Sequence, residues 1–212
     1  MKANAFARFM FVAFMKKLMI SDSIPKHVGV LAGVQKYVLP GAYIEDFTVG
    51  ISDGNININE FDAILVHVGT NNVARDHNAQ QVLGEMGQLI RAIRWRRQDI
   101  HIVLSGIIPR LIDRSTTELT VKAINSMLAK VTRDRNVIFI RSFSPFCSGR
   151  EKSGLKTWLF ARDGLHLSNK GSFVLHHLFK VQFSDKNIMQ RVYALRYEEE
   201  EKIVREKQFG CY

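Results

Sequence analysis

The sequence predicts an α/β fold, a three-layer α/β/α sandwich built on about five parallel strands. Short apolar runs alternate along the 212 residues with segments of helical period, a pattern typical of βαβ units. The apolar runs are continuous, as expected of strands covered on both faces. With 46% hydrophobic residues, the chain is long enough to bury one sizeable core, so we expect one main domain.

The predicted elements divide the chain into a central domain and two extensions. We expect an N-terminal extension over residues 1–16, the α/β domain over 17–183 and a C-terminal helical extension over 184–212. The strands are predicted at residues 17–20, 36–39, 63–68, 100–106 and 137–140.

Helices are predicted between these strands. Residues 78–97 repeat apolar side chains at helical spacing, and Asn78 with Gln81 resembles a capping box. Ser115 with Glu118 suggests a second capping box before another periodic segment. A further helix is expected from Ser168 to about residue 181, and a C-terminal one over residues 186–208. Proline at position 25 suits the first turn of a short helix.

Composition leaves two kinds of acidic partner open, nucleic acid and an anionic membrane surface. The net charge of +10 favours an acidic partner such as RNA or DNA, with Arg94, Arg96 and Arg97 as candidate contacts. Base-reading motifs are absent, and a solvated helix end is the simpler explanation of these arginines. Two cysteines without zinc-ligand spacing exclude a disulfide framework and predict no metal site.

The same features give the expected compartment. Few cysteines favour a reducing compartment, and no apolar run is long enough to span a membrane, so we expect a cytoplasmic protein. Secretion stays open, because residues 9–15 are apolar, although Lys16 and Lys17 interrupt the run early.

Three predicted strand ends carry side chains or backbone suited to acyl transfer. Ser23 follows the first strand and precedes the short helix, where it either caps that helix or exposes its hydroxyl as a nucleophile. Gly41 follows the second strand and offers an unobstructed backbone N–H. Asn71 and Asn72 follow the third strand, where carboxamides either satisfy local backbone or serve an oxyanion.

An Asp-x-x-His segment lies just before the last helix of the domain. The spacing lets the Asp163 carboxylate fold back onto Nδ1 of His166, so that Nε2 faces a nucleophile. Alone, such a short motif is weak evidence. Its value comes from the other three segments, which are all expected at the same edge of the sheet.

Taken in order, the four segments resemble the sequence blocks of the SGNH (GDSL-like) hydrolases. These segments are residues 21–23, Gly41, residues 69–72 and residues 163–166. Gly-Thr-Asn-Asn at 69–72, followed by Ile-Ile-Pro-Arg at 107–110, is similar to the catalytic subunits of platelet-activating-factor acetylhydrolase 1B. The overall pattern is also similar to retrotransposon-encoded esterase-like domains. The resemblance implies a flavodoxin-like sandwich.

The resemblance also implies roles for individual residues. Ser23 would be the nucleophile, His166 the general base and Asp163 its orienting carboxylate. The oxyanion hole would combine the backbone N–H groups of Ser23 and Gly41 with the Asn71 side chain. No metal or organic cofactor is implied.

Three further residues are candidates for the site, and the sequence departs from the usual family pattern at two positions. Asp22, Asn72 and His67 are candidates to line the pocket, although His67 fits a hydrogen-bonded core histidine equally well. Ser21 stands where the family usually has glycine, and its Cβ would strain the turn if that position needed a positive φ. Asn72 stands where many members have aspartate.

The function we expect is a serine esterase that cleaves short-chain, acetyl-type esters of a lipid or sugar through an acyl-enzyme. The alternative is a nucleic-acid-binding module of the same fold, with weak or no catalysis. A third hypothesis is a scaffold subunit whose C-terminal helix makes the contact.

Overall fold

The computed structural model describes residues 15–132, 137–149 and 154–191. Nearly all of the predicted N-terminal extension, and the tail beyond residue 191, lie outside the described residues. The scaffold hypothesis depends on that tail and stays a prediction.

One parallel sheet of five strands organises the fold. Its strand order is β2-β1-β3-β4-β5, which is the order of a flavodoxin-like sheet and agrees with the predicted flavodoxin-like sandwich. The strands are β1 (Lys17–Ser21), β2 (Val34–Val38), β3 (Ala63–His67), β4 (His101–Ser105) and β5 (Ile138–Ile140). A small antiparallel pair, β6 (Cys147–Ser148) and β7 (Gly154–Leu155), lies outside this sheet.

Helices cover both faces of the sheet and make the three predicted layers. They are α1 (Ile44–Ser52), α2 (Thr70–Ala74), α3 (Ala79–Arg96), α4 (Arg114–Val131) and α5 (Asn169–Gln182). Short 3-10 helices span Ile24–His27, Ser144–Phe146 and Thr157–Leu159. One core cluster joins a sheet face to α1, α3 and α4, and the other joins the opposite face to α5.

The alternation of side chains along each strand explains the two clusters. On β1, Leu18 and Ile20 belong to the first cluster and Met19 to the second, because successive residues point to opposite faces. Every residue of β1 and β3 is buried, as predicted for continuous apolar runs. The edge strand β2 alternates between half-buried and exposed residues and begins at Val34, two residues earlier than predicted.

Helix starts give one confirmed prediction and one error. Asn78 caps α3, accepting from the backbone N–H groups of residues 80 and 81, while the Gln81 side chain bonds the Asn78 N–H. The second capping box is wrong. The α4 helix begins at Arg114, so Ser115 lies inside it, and Glu118 forms ion pairs with Arg114 and Lys122 instead.

Residues just beyond the predicted domain boundary pack onto the core. Ile188 is fully buried in the second cluster, and residues 185–191 are helical. The Asp185 carboxylate accepts from the Lys17 ammonium at 2.6 Å, at the amino end of β1. The first part of the predicted C-terminal extension therefore contributes to the packed domain.

Candidate active site

The turn after β1 places the Ser23 hydroxyl where it can react. Ser23 precedes the 3-10 helix that begins at Ile24, yet its side chain makes no capping hydrogen bond. Asp22 provides the side-chain hydrogen bond at this helix start, because its Oδ1 accepts from the Ile24 backbone N–H at 2.9 Å. The capping interpretation of Ser23 is therefore wrong.

The loop before α5 brings the other two predicted triad members to this hydroxyl. The His166 Nε2 atom lies 3.1 Å from the Ser23 Oγ, and the His166 Nδ1 atom lies 2.7 Å from the Asp163 Oδ2. Since a carboxylate only accepts hydrogen bonds, Nδ1 carries a proton and Nε2 can accept one from the serine. The side chains of Asp163 and His166 are 49% and 40% exposed, so the pair is open to solvent.

Local hydrogen bonds fix the Asp163 carboxylate. Its Oδ1 accepts from the backbone N–H groups of Leu165 and His166, each at 2.9 Å. The bond from His166 and these two backbone bonds lower the pKa of Asp163 to about 2. The carboxylate therefore stays ionised at any pH at which His166 acts as a base.

Gly164 closes this loop against its neighbour. Its φ of +67° is a left-handed conformation that favours glycine, and an added Cβ would lie 2.9 Å from the backbone N of Ile112. The Gly164 carbonyl accepts from the backbone N–H groups of Leu111 and Ile112 at 2.8 and 3.0 Å. The loop is therefore held from the β4–α4 connection.

The three predicted oxyanion donors lie at the carboxyl edge of the sheet. Gly41 adopts a φ of +78°, and a Cβ added there would have no atom within 4 Å, so its backbone faces open space. Among the described residues, neither the Ser23 nor the Gly41 backbone N–H has an acceptor. The Asn71 Nδ2 donates to the Ala42 carbonyl at 2.8 Å, which fixes its rotamer and leaves its second hydrogen for another acceptor.

Asp22 lies beneath the site instead of lining it. The side chain is fully buried, and its Oδ2 has no hydrogen-bond partner among the described residues. Burial raises the pKa of Asp22 to about 7, against the opposing effects of the Ile24 bond and the charges of His166 and Arg110. The turn therefore contains a carboxyl group that changes charge near neutral pH, next to the predicted nucleophile.

Asn72 is also absent from the pocket. Its Oδ1 accepts from the backbone N–H of Ile44 at 3.1 Å, and its Nδ2 donates to the carboxylates of Glu45 and Glu85 at 2.9 and 2.8 Å. With no exposed surface, the side chain joins α2 to α1 and α3. The pocket assignment of Asn72 is corrected to a connecting role.

His67 is a core histidine, the simpler of its two interpretations. It is 3% exposed, lies edge-on to the Phe179 ring at 5.7 Å, and its Nδ1 is 2.7 Å from the Ser105 Oγ. Burial lowers its pKa to about 4, so it is neutral at physiological pH. His67 does not line the pocket.

The three arginines proposed to contact nucleic acid bind the protein itself. Arg94 donates to the carbonyl of Ile100, Arg96 to those of Ile51 and Ser52, and Arg97 to the Asp99 carboxylate. They hold the ends of α1 and α3 and the start of β4. Their charges therefore have a structural use, and the prediction of contact with nucleic acid loses its main support.

The described residues contain neither a membrane span nor a metal cluster. None of the helices in these residues combines the length and apolarity needed to cross a membrane. Within the same part of the chain, histidine, cysteine and acidic side chains form no group of three or more that would hold a metal ion.

The sequence of the domain matches a known family. Residues 33–172, more than half of the chain, match the sequence model of the GDSL-like lipase/acylhydrolase family. The chain belongs to this family. It is accordingly a carboxylic ester hydrolase. The match begins after Ser23, so the choice of nucleophile rests on the geometry described above.

Solved structures of other proteins are similar in fold to this GDSL-like hydrolase. A GDSL-like lipase from Bacteroides thetaiotaomicron is 16% identical, with 78% of this chain and 86% of that one covered and a TM-score of 0.64. A Streptococcus pneumoniae protein named for platelet activating factor is 19% identical, with coverages of 83% and 87% and a TM-score of 0.64. A carbohydrate esterase of family 3 from Talaromyces cellulolyticus is 16% identical, with coverages of 85% and 99% and a TM-score of 0.62. A comparison with curated proteins finds no match.

Both departures from the usual family pattern have a structural explanation. Ser21 ends β1 and is not among the residues with positive φ, so its Cβ causes no backbone strain. Asn72 donates to two carboxylates from one nitrogen, which aspartate could not do. In this GDSL-like hydrolase, asparagine at position 72 fits the paired glutamates Glu45 and Glu85.

Sequence reasoning missed one residue that contacts the site's supporting loops. Arg110 stands out in the sequence only as part of the Ile-Ile-Pro-Arg segment, yet it is 5% exposed and bonds both Thr70 and Asp113. Its proximity in sequence to Asp113 was a signal that an ion pair could form. Nothing in the sequence indicated the contact with Thr70, which lies 40 residues away.

Proposed function

We propose that this GDSL-like hydrolase is a serine esterase that cleaves short-chain, acetyl-type carboxylic esters through an acyl-enzyme. The observation that carries the proposal is the continuous chain of short contacts from the Asp163 carboxylate through His166 to the Ser23 hydroxyl. Such a chain is the arrangement that activates a serine for attack on an acyl carbon.

In the first step, the Ser23 Oγ attacks the ester carbonyl while the His166 Nε2 takes its proton. Asp163 holds the imidazole in the required tautomer and stabilises the imidazolium that forms. The same imidazolium then protonates the leaving alcohol, which departs and leaves the acyl group on Ser23. A water molecule, deprotonated by His166, releases the carboxylic acid in the second half of the reaction.

The developing oxyanion would be stabilised by three N–H groups. Two come from the backbone of Ser23 and Gly41, and the third from the Asn71 carboxamide, whose bond to Ala42 orients it before substrate arrives. Every step uses groups of the protein, so the proposal requires no metal or organic cofactor.

The substrate class is the finer part of the proposal. The names of the structural relatives include a lipase and a carbohydrate esterase, which supports an acylated lipid or sugar as the natural ester. Short acyl groups are favoured because the Asp163–His166 pair is open to solvent, with side chains 49% and 40% exposed.

Ester hydrolysis by matched serine variants tests the proposal. We expect wild type to cleave p-nitrophenyl acetate faster than p-nitrophenyl octanoate, and Ser23→Ala to lose hydrolysis at least about a thousandfold. Ser21→Ala is the matched control, because Ser21 is buried two residues away and its hydroxyl has no partner among the described residues. Equal rates in Ser23→Ala and Ser21→Ala would refute the assignment of the nucleophile.

A groove beside the carboxyl end of β5 supports nucleic-acid binding as a second candidate function. The groove, of about 420 Å³, runs between α4 and β5 and includes Lys122, Lys130, Arg141, Phe139 and Phe143. Its lining contains no acidic side chain in the part of the chain that is described. Cations beside aromatic rings suit a single strand, through phosphate contacts and base stacking.

Salt-dependent binding of a single-stranded oligonucleotide tests this second candidate. We expect fluorescence anisotropy to show binding at low salt that weakens steeply as salt rises, and Lys130→Glu with Arg141→Glu to abolish it. The matched control carries Arg94→Gln, since that arginine bonds backbone carbonyls. An absence of binding at low salt would exclude this function.

A further inference from the structure

Arg110 is a buried cation close to the predicted oxyanion turn but outside the predicted machinery. It follows Pro109 in the connection between β4 and α4 and is 5% exposed. A buried guanidinium is costly unless its donors are satisfied, so the partners that it holds indicate what it is for.

The first partner is the residue before Asn71. The Arg110 Nη1 donates to both the backbone carbonyl and the Oγ1 of Thr70, each at 3.0 Å. Thr70 begins α2, and the adjacent Asn71 supplies the predicted oxyanion donor. A two-point contact of this kind restricts both the position and the orientation of the turn.

The second partner anchors the guanidinium to a long helix. The Arg110 Nε donates to the Asp113 Oδ1 and Oδ2 at 2.9 and 3.1 Å. Asp113 occupies the N-cap position of α4, where its backbone carbonyl accepts from the N–H groups of residues 116 and 117, and its Oδ1 accepts from the Thr117 hydroxyl at 3.0 Å. The oxyanion turn is therefore tied to the first turn of an 18-residue helix.

The same connection also holds the acid–base loop. The backbone N–H groups of Leu111 and Ile112, directly after Arg110, donate to the carbonyl of Gly164, between Asp163 and His166. Three consecutive residues, 110–112, thus contact the turn that contains Asn71, through Arg110, and the loop that contains His166, through Leu111 and Ile112. The distance between the Asn71 turn and the His166 loop therefore depends on this connection.

We propose that Arg110 is a positioning residue that, with Asp113, sets the Asn71 carboxamide at the correct place relative to Ser23 and His166. The inference rests on the serine esterase function proposed above and adds a residue that touches neither substrate nor reacting atoms. Arginine is needed because its planar fork reaches two partners at once, whereas lysine offers a single point charge.

The expected effect is on turnover, not on substrate binding. Displacing a donor by about 1 Å can reduce a rate about a hundredfold. We expect Arg110→Lys to lower kcat by roughly 10- to 100-fold, with KM within about twofold of wild type. Asp113→Asn keeps an acceptor for the Arg110 guanidinium but loses the charge, and we expect a smaller loss in the same direction.

A double-mutant cycle separates positioning from a general loss of stability. If Arg110 acts through the Asn71 side chain, Arg110→Lys should cost little more than about twofold in kcat when Asn71→Ala is already present. Active-site titration with a fluorophosphonate corrects each kcat for the folded fraction. The matched control is Lys17→Met, which removes another buried cation, bonded to Asp185 at the opposite edge of the sheet. That control should lower the melting temperature and leave kcat unchanged.

Each outcome decides one question. A wild-type kcat in Arg110→Lys, or losses that multiply fully with those of Asn71→Ala, would overturn the positioning role while leaving the esterase function intact. A folded wild type that neither hydrolyses p-nitrophenyl acetate nor reacts with the fluorophosphonate would overturn the proposed function, and this inference with it. Should Arg110→Lys fail to fold, Asp113→Asn in the same cycle gives the answer.

Discussion

The two sides of the candidate site are built differently. On the acid–base side, Asp163 and His166 are about half exposed, and hydrogen bonds to residues two or three positions away hold the carboxylate. On the oxyanion side, Asn72 and Arg110 are buried, and their bonds reach residues 28 and 40 positions away. The reacting side chains of the first side are exposed and fixed by local bonds, although their loop is anchored through Gly164, whereas the polar side chains of the second side are buried and bonded to distant elements.

This difference separates catalysis from stability in a testable way. A substitution in the exposed loop removes a reacting group but little packing, so kcat should fall while the fold persists. A substitution on the buried side leaves polar groups without partners, so it should affect turnover and stability together. The following predictions test that contrast, from the largest expected effect to the smallest.

Asp163→Asn should cost the most activity and almost no stability. Asparagine keeps the shape but can donate to Nδ1, which favours the wrong tautomer of His166, and we expect kcat to fall by about 10³- to 10⁴-fold. Because Asp163 is half exposed, the melting temperature should move by less than about 3 °C. Steady-state kinetics and thermal unfolding check both values. A large fall in melting temperature would break the contrast between the two sides.

Asn71→Ala should lower kcat by about 10²- to 10³-fold, the usual cost of one oxyanion donor, with little change in KM. It also removes the bond to the Ala42 carbonyl, so a loss of about 1 kcal/mol in unfolding free energy should accompany the kinetic loss. Kinetics and denaturant unfolding of the same preparation measure both. An effect on KM alone would contradict the oxyanion role.

Asp22→Asn should change how stability depends on pH. Burial raises the pKa of Asp22 from 3.8 to about 7, so the folded state holds a proton that the unfolded chain has released. The Asp22 carboxyl therefore contributes its full stabilisation of the folded state below about pH 4. That contribution is lost as pH rises through 7. Asparagine stays neutral, so above pH 7 the variant should be more stable than wild type by on the order of 4 kcal/mol.

Urea unfolding from pH 4 to pH 8 measures this difference. Parallel curves for wild type and Asp22→Asn would show that Asp22 is ionised throughout, and that its burial is compensated by contacts other than those described.

Arg96→Ala should have the smallest effect, confined to stability. The guanidinium bonds the carbonyls of Ile51 and Ser52 at the end of α1, and its loss should cost about 1–2 kcal/mol without altering kcat. Arg91→Ala, at an exposed position on the same helix, is the matched control and should cost almost nothing. Equal stability of the two variants would contradict the structural role of Arg96.

The same contrast explains how much could be predicted from sequence. The parallel sheet, α3 and α5 were predictable because their apolar periods and caps are local signals. The acid–base loop was predictable for the same reason, since Asp163 and His166 are three residues apart. Helix α1 carried a usable signal in Ile44, Phe47 and Ile51 at helical spacing, and it was missed.

The buried support of the oxyanion turn could not be predicted from local pattern. Asn72 and His67 were expected in the pocket because they end a strand at the correct edge, but the sequence does not say towards which layer each side chain points. The partners of Arg96 and Arg110 are likewise set by packing between distant elements. The sequence therefore suggested a binding surface at a cluster of arginines whose side chains form hydrogen bonds within the protein.

Mapping the site of covalent modification tests the central claim most directly. A fluorophosphonate reacts with a serine only when a base activates it, so the wild-type protein should carry one label, on the peptide that contains Ser23. His166→Gln, which removes the base 3.1 Å from the Ser23 hydroxyl, should slow labelling by at least about a hundredfold. Label on a different residue, or equally fast labelling of His166→Gln, would contradict the proposed triad.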